Sequence, residues 1–151
     1  MLVRQVNPRT RWQPPLADLM KINFDGVVFS SENVSGIGVV IRNNLGLVIA
    51  SCSQRLPQAY SSNEVEALAA TKALSFAAEI GITKVVLEGD SLTIIKFLSS
   101  GHNSLSSFGL MIDDTKFSAS NFHQLLYSHV KRECNSVAYC LARYVIDIPD
   151  F

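Results

Sequence analysis

The stretch MKINFDGVVFSS, residues 20–31, places an aspartate in the middle of an apolar run. An Asp-Gly pair between alternating hydrophobic residues favours a two-residue hairpin turn, in which Asp25 would have a purely structural role. The alternative is one continuous strand, with Met20, Ile22 and Phe24 on one face and Asp25 on the other. The choice depends on whether other carboxylates lie where Asp25 can act together with them.

Composition indicates one globular domain with a substantial core, because 48% of the 151 residues are hydrophobic and 17% are charged. The formal net charge is zero, so any binding to phosphates needs a local cluster of cations rather than a global field. No run approaches the roughly 18 apolar residues of a membrane span, and we expect no membrane partner. Three cysteines without metal-ligand spacing favour reduced thiols in an intracellular protein of the nucleus or cytoplasm.

The N-terminal residues 1–19 are predicted to form an extended lead-in to a single domain, residues 20–151. Helix formation there is opposed by three prolines: Pro8, Pro14 and Pro15. A linker role is expected rather than a binding role for the residues between them: Arg9, Arg11 and Trp12. We expect the chain to be a monomer.

Hydrophobic periodicity then predicts three strands, a helix, a strand, two helices, a strand and a last helix. In that order the segments are residues 20–31, 36–44, 45–56, 61–81, 83–90, 91–101, 104–120, 121–130 and 135–146. Three meandering strands followed by crossover connections imply an α/β fold, with a mixed five-stranded sheet and helices on its faces.

Two acids lie in the first turns of the long helix. Ser61 and Glu64 have the spacing of a capping box, which gives Glu64 a structural role. Glu66 has no such role, and it lies on the side of the helix that carries small alanines and can approach the sheet closely. The alternative for Glu66 is an ordinary acid favoured by the positive end of the helix dipole.

Asp90 ends the buried fourth strand and precedes a helix, so it is either a helix cap or a ligand, since ligand sites gather at the carboxyl ends of strands. Together with Asp25 and Glu66, it could reach one end of the sheet. Three carboxylates meeting there would repel one another unless a cation neutralised them. Carboxylate oxygens suit Mg²⁺ or Mn²⁺.

The ordered set of segments KINFDG, GIGVVIRNNLGLVIA, EVEALAATKAL, VVLEGDS and HVKRECNSVAYCLAR resembles the ribonuclease H-like domain of plant proteins, many of them related to retroelements. The resemblance covers residues 12–147. It implies the type 1 ribonuclease H fold and hydrolysis of the RNA strand of RNA–DNA hybrids with two divalent metals.

The resemblance also assigns roles to individual residues. Asp25 would bridge the two metals, and Glu66 and Asp90 would hold the metal on the leaving-group side. His129, six residues before Asn135, would shuttle protons or help the product leave. The alternative for His129 is a strand-end histidine bonded to a loop carbonyl.

One position departs from the family pattern. Tyr139, in NSVAYCLA, stands where the fourth metal-binding carboxylate is expected. A phenol is neutral at pH 7 and a poor ligand for Mg²⁺, so one metal site should be weakened and activity reduced or lost. Glu133 and Asp147 are the nearest spare acids. The last helix should keep its buried stripe, which is Val137, Leu141 and Val145.

Lys131 and Arg132 could contact phosphates beside the site, with Lys96 as a further candidate, although a solvated turn explains the first two equally well.

Recognition of the hybrid is assigned to the segment 26–35, which begins at Gly26. Weaker candidates are Asn43, Asn44 and Asn63. Affinity should be modest and steeply salt-dependent. The alternative to an active nuclease is a catalytically inactive domain that binds nucleic acid or a protein partner.

Overall fold

The structure, a computed structural model, describes residues 11–100 and 107–148. The strands are β1 (Met20–Phe29), β2 (Val34–Arg42), β3 (Val48–Leu56), β4 (Lys84–Gly89) and β5 (Gln124–His129). The helices are α1 (Ser62–Glu79), α2 (Leu92–Ser100), α3 (Ser107–Ala119) and α4 (Ser136–Tyr144). The predicted order of elements is confirmed. A short 3₁₀ turn, Arg132–Asn135, leads into α4 and was not predicted.

The five strands form one mixed sheet in the order β3-β2-β1-β4-β5. The pairs β1–β2 and β2–β3 are antiparallel, whereas β1–β4 and β4–β5 are parallel. The predicted α/β fold with a mixed five-stranded sheet is therefore confirmed. The expected start of α3 at residues 104–106, and Pro8 and Arg9 of the lead-in, lie outside the described residues.

The Asp-Gly pair lies inside β1 and does not form a turn. Asp25 pairs with Gly38 and Gly26 pairs with Ile37, and the ladder continues without interruption to the end of the strand. The hairpin interpretation is therefore wrong. The chain reverses later, between β1 and β2, where Asn33 takes a positive φ of 52°. Asn tolerates this left-handed conformation better than most residues, so the turn forms there.

The main core lies between one face of the sheet and the helices α1, α2 and α3. Alternate residues of β1 and β2 point into it, including the fully buried Ile22, Phe24 and Val39. Helix α1 meets them with a surface of small side chains, among them Ala70 and Ala73, which are also fully buried. Because these side chains are small, α1 packs close to the sheet, and this brings its first turns beside β1.

Helix α4 packs on the opposite face of the sheet, directly over two glycines of β2. A Cβ atom on Gly36 would lie 2.1 Å from the carbonyl oxygen of Ala142, and one on Gly38 would lie 2.1 Å from that of Ala138. Real atoms cannot approach so closely, so any side chain at either glycine would force α4 away from the sheet.

This close packing corrects the predicted buried stripe of α4. Val145 is fully buried as expected, but Val137 is 41% exposed and Leu141 is only half-buried. The buried positions of the helix are Ala138 and Ala142. The reason is steric, because a helix that lies on glycine backbone has room for methyl groups and no room for larger side chains.

A buried polar network joins the lead-in to the centre of the sheet. The indole Nε1 of Trp12 donates to Asn23 Oδ1 at 2.9 Å, and its ring lies beneath the cations of Lys21 and Arg42. Lys21 Nζ lies 3.2 Å from Glu88 Oε2, which joins β1 to β4. The division of the chain at residues 19 and 20 stays a prediction.

Strand β3 forms one edge of the sheet, and the residues that the structure describes cover it poorly. The turn that precedes it and its first residues expose four large apolar side chains to solvent: Leu45, Leu47, Val48 and Ile49. Within the described residues, no helix is both long enough and apolar enough to cross a membrane.

Candidate metal centre and nucleic-acid interface

Three carboxylates from different elements meet at one end of the sheet. Asp25 comes from β1, Glu66 from the second turn of α1, and Asp90 directly follows β4. One oxygen of each lies within 4.8 Å of the others. The structure therefore brings together the three acids that the sequence analysis expected to meet at one end of the sheet.

Gly26 allows this approach and links two of the acids. Its backbone N–H donates to Asp25 Oδ1 at 2.9 Å and to Glu66 Oε1 at 3.3 Å. A Cβ atom at this position would lie 2.8 Å from the carbonyl oxygen of Val65. A side chain here would push α1 away from β1, so glycine is required for Glu66 to reach Asp25.

Serine side chains, and not Glu66 or Asp90, cap the starts of helices α1 and α2. Ser61 Oγ accepts from the backbone N–H of Glu64 at 3.3 Å, and its hydroxyl donates to Glu64 Oε1. At the start of α2, Ser91 Oγ accepts from the N–H of Ile94 at 3.4 Å. Because serines occupy both capping positions, neither Glu66 nor Asp90 caps a helix through its side chain.

Each of the three acids also keeps one buried oxygen without a hydrogen-bond partner: Asp25 Oδ2, Glu66 Oε2 and Asp90 Oδ2. Arg132 Nε lies 3.5 Å from Asp90 Oδ2, which is an ion pair rather than a good hydrogen bond. A buried acceptor without a partner costs free energy. Three neighbouring carboxylates that each keep such an oxygen fit a hard divalent cation, which would supply the missing interaction.

The electrostatics of the cluster indicate the same need for a cation. Burial, together with the nearby carboxylates of Asp25 and Asp90, raises the pKa of Glu66 from 4.5 to about 10. Burial is also the main cause of the raised pKa of Asp25. At neutral pH, and without a cation, the cluster therefore retains a proton instead of ionising fully.

Tyr139 is half-buried on α4, and two exposed arginines lie near its ring. The guanidinium carbon of Arg132 lies 4.7 Å from the ring centroid and that of Arg143 lies 5.9 Å from it. Among the described residues the acidic cluster includes neither Glu133 nor Asp147. Within residues 11–100 and 107–148, no fourth carboxylate joins the cluster in place of the one expected at position 139.

His129 ends β5 beside the cluster, and its side chain is exposed. Its Nε2 lies 3.3 Å from the carbonyl oxygen of Asp90. Since a carbonyl oxygen can only accept, Nε2 must carry the proton in this contact. This geometry is that of a strand-end histidine bonded to a loop carbonyl, and it also places the imidazole next to a candidate metal ligand.

The candidate nucleic-acid contacts lie in two separate places. Lys131 and Arg132 are exposed and directly follow His129, next to the acids. Asn43 and Asn44 lie in the turn after β2, five positions or more beyond the residue that pairs with Asp25, which is about 17 Å along the strand.

The side chain of Asn43 has a structural task, because its Oδ1 accepts from the backbone N–H groups of Leu45 and Leu47. Asn63 is exposed in the first turn of α1, one turn before Glu66, and Lys96 is exposed on α2. The structure therefore brings neither Asn43 nor Asn44 to the cluster.

Sequence reasoning missed the positioning role of a buried asparagine. Asn135 Nδ2 donates to the carbonyl oxygen of Phe24, and its Oδ1 accepts from Asn23 Nδ2, both within 3.0 Å. These bonds join the 3₁₀ turn to the strand residues just before Asp25. The signal was the polar face of β1, on which Lys21, Asn23 and Asp25 lie at every second position.

The chain belongs to the family described as reverse transcriptase-like, whose sequence profile matches residues 23–145. This assignment agrees with the ribonuclease H-like domain that the sequence resembles. No curated protein matches the chain by sequence.

Solved structures show the same fold. Ribonuclease H1 of the halophilic archaeon Halobacterium salinarum is 23% identical, with a TM-score of 0.79 over 85% of this chain and 98% of that one. The N-terminal ribonuclease H domain of a Mycobacterium tuberculosis protein is 24% identical, with a TM-score of 0.77 over 85% and 94%. LC11 ribonuclease H1, solved with an RNA/DNA hybrid, is 22% identical, with a TM-score of 0.76 over 85% and 96%. These likenesses establish the ribonuclease H-like fold. Because each identity is below 25%, they establish the fold alone.

Proposed function

We propose that this chain is a ribonuclease H-type domain that binds RNA–DNA hybrids and hydrolyses their RNA strand with Mg²⁺ or Mn²⁺, at a rate reduced by Tyr139. The observation that carries the proposal is the convergence of Asp25, Glu66 and Asp90, each with one buried oxygen that lacks a partner. The family assignment supports the substrate class, and the ribonuclease H1 structure solved with an RNA/DNA hybrid has the same fold.

The residues of this chain would divide the work as follows. Asp25, Glu66 and Asp90 would hold the cation, which when bound polarises the phosphate and lowers the pKa of a water. Gly26 orients two of the carboxylates through its N–H. His129, exposed beside Asp90, is placed to exchange a proton with solvent near the cleaved strand.

Nucleic-acid binding would use the cations nearest to the acids. Lys131 and Arg132 are the exposed candidates there, and Gly26 leaves the strand backbone accessible at the site. Asn63 lies close enough to contribute from α1. Asn43 and Asn44 would contact only a part of the hybrid far from the cleaved bond.

A second candidate function follows from position 139. Because a neutral phenol replaces the expected fourth carboxylate, the domain could bind nucleic acid without cleaving it. The arginines that pack on the ring of Tyr139 favour this candidate, since they place positive charge where a second metal would need negative charge.

Cleavage of an end-labelled RNA–DNA hybrid in Mg²⁺ or Mn²⁺ tests the proposal. We expect slow cleavage by the wild type, none by Asp25→Asn, and unchanged cleavage by Asp114→Asn, which removes an exposed acid on α3. Tyr139→Asp should increase the rate by at least about tenfold, which corresponds to roughly 1.4 kcal/mol of activation free energy.

The outcomes separate the two candidates. Cleavage only after Tyr139→Asp would favour the binding domain and identify position 139 as the cause of the lost activity. If no variant cleaves and the wild type does not bind the hybrid, the proposed function is wrong.

A further inference from the structure

A cavity of about 320 Å³ lies beside the acidic cluster, between the start of α1, the middle of β1 and the face of α4. Its polar walls come from Ser62, Arg132, Tyr139 and Arg143. No acidic residue lines it among the described parts of the chain. The lining residues therefore carry two positive charges and no negative charge, although the cavity adjoins a cluster of carboxylates.

Aromatic rings hold both arginines at this cavity. The guanidinium of Arg132 lies over the ring of Tyr139. That of Arg143 lies 5.6 Å from the centroid of Phe29 and 5.9 Å from the centroid of Tyr139. A cation–π contact uses the face of a guanidinium and leaves the N–H donors at its edge available. Both side chains are therefore oriented without using up their donors.

Charge compensation of these arginines is small. Arg132 has a loose ion pair with Asp90 at 3.5 Å, and no carboxylate in the described ranges lies within 4.0 Å of Arg143. An aspartate at position 139 would lie next to both guanidinium groups and would neutralise much of their charge. Tyrosine provides a surface for the two arginines to pack on but no negative charge, so the cavity stays cationic.

The start of α1 adds to this field. Ser62 is the first residue of an 18-residue helix, and it lines the cavity. The positive end of the helix dipole and the hydroxyl of Ser62 favour an anion at this point.

We propose that this cavity binds a phosphate group of a nucleic-acid strand, so that position 139 in this chain serves anion binding and not metal binding. The phosphate would accept N–H donors from Arg132 and Arg143, the bidentate pairing that guanidinium and phosphate prefer. The claim that the phosphate belongs to a nucleic acid depends on the proposed function. The claim that an anion binds here depends only on the residues that line the cavity.

Binding of a fluorescent RNA–DNA hybrid in EDTA, measured by anisotropy over a range of salt concentrations, tests this site without metal. Arg143→Gln should weaken binding several-fold and reduce the slope of log affinity against log salt by about one. Tyr139→Asp should also weaken binding, although it increases cleavage in Mg²⁺. The matched control is Lys84→Gln, which removes one exposed charge at the first residue of β4. Asp90 follows the last residue of this strand, so the control lies at the other end from the site.

Equal affinity and equal salt slope for Arg143→Gln and the wild type would overturn the inference and leave the proposed function intact. If the wild type does not bind the hybrid in EDTA, inorganic phosphate becomes the probe, and the cleavage assay in Mg²⁺ or Mn²⁺ decides separately whether the proposed function holds. Saturating NMR shifts of the Arg143 Nε–H with phosphate, but not with chloride at equal ionic strength, would then show an anion site for free phosphate. The absence of such shifts would overturn the inference as well.

Discussion

Glu66 is the residue at which protonation and folding are most tightly linked. Its pKa is raised to about 10 in the folded protein, compared with 4.5 as its ordinary value. Between these pH values the folded protein holds a proton that the unfolded chain has released. Without metal, this contribution to stability is therefore complete below pH 4.5 and is lost as the pH rises through the folded pKa.

We predict that, in EDTA, the free energy of unfolding falls as the pH increases from neutral to alkaline, by at most about 1.4 kcal/mol per pH unit. Glu66→Gln should remove most of this dependence, because an amide does not ionise. Urea unfolding at several pH values measures it. The control Glu64→Gln changes a carboxylate in the helix cap and should keep the dependence, and parallel pH profiles for Glu66→Gln and the wild type would contradict the prediction.

At this scale the sequence identified the acids but not the surroundings that define their chemistry. Asp25, Glu66 and Asp90 were accessible to pattern reasoning because each is an acid without another structural role. Arg143 was not, because one arginine on an exposed helix face resembles any other. Its significance depends on the ring of Tyr139 and on Phe29, which is more than a hundred residues earlier in the chain.

At the scale of elements, the contact between α4 and β2 determines where Tyr139 and Asn135 lie. We predict that Gly38→Ala destabilises the protein by about 3 kcal/mol, since the new methyl group would overlap the carbonyl of Ala138. Loss of glycine flexibility in the unfolded chain offsets this by less than about 1 kcal/mol, so the steric term dominates.

Urea unfolding measures the change. Ser51→Ala on the exposed edge strand is the control and should shift the free energy of unfolding by no more than about 0.5 kcal/mol. A Gly38→Ala variant as stable as the wild type would mean that α4 can move away from the sheet without cost.

The elements themselves were largely predictable, because periods of two and 3.6 residues separate strands from helices. The buried face of α4 was not predictable. Apolarity favoured Val137 and Leu141, whereas the glycines of β2 select the smaller Ala138 and Ala142. A helix face is chosen by the surface that it meets, and that surface is distant in sequence.

At the scale of the whole molecule, the described end of the lead-in, residues 11–19, makes contacts with the sheet. Trp12 is the one tryptophan of the chain, and its indole donates to the buried Asn23. We predict that its fluorescence and the far-UV circular dichroism change in one coincident urea transition. A fluorescence change at clearly lower urea would show that the lead-in detaches before the domain unfolds. Trp12→Phe, which keeps an aromatic ring but loses the indole donor and the fluorescence, should lower the urea midpoint measured by circular dichroism.

The β3 edge of the sheet, which the described residues leave largely exposed, has a consequence for handling the protein. Strand β3 offers unpaired backbone groups beside exposed Leu47, Val48 and Ile49, and such an edge can pair with that of another molecule. Charge repulsion normally limits these encounters, but the isoelectric point of about 6.8 removes it near neutrality. Colloidal stability should therefore be lowest in the buffers most often chosen for assays, and concentrated stocks should be kept well away from neutral pH.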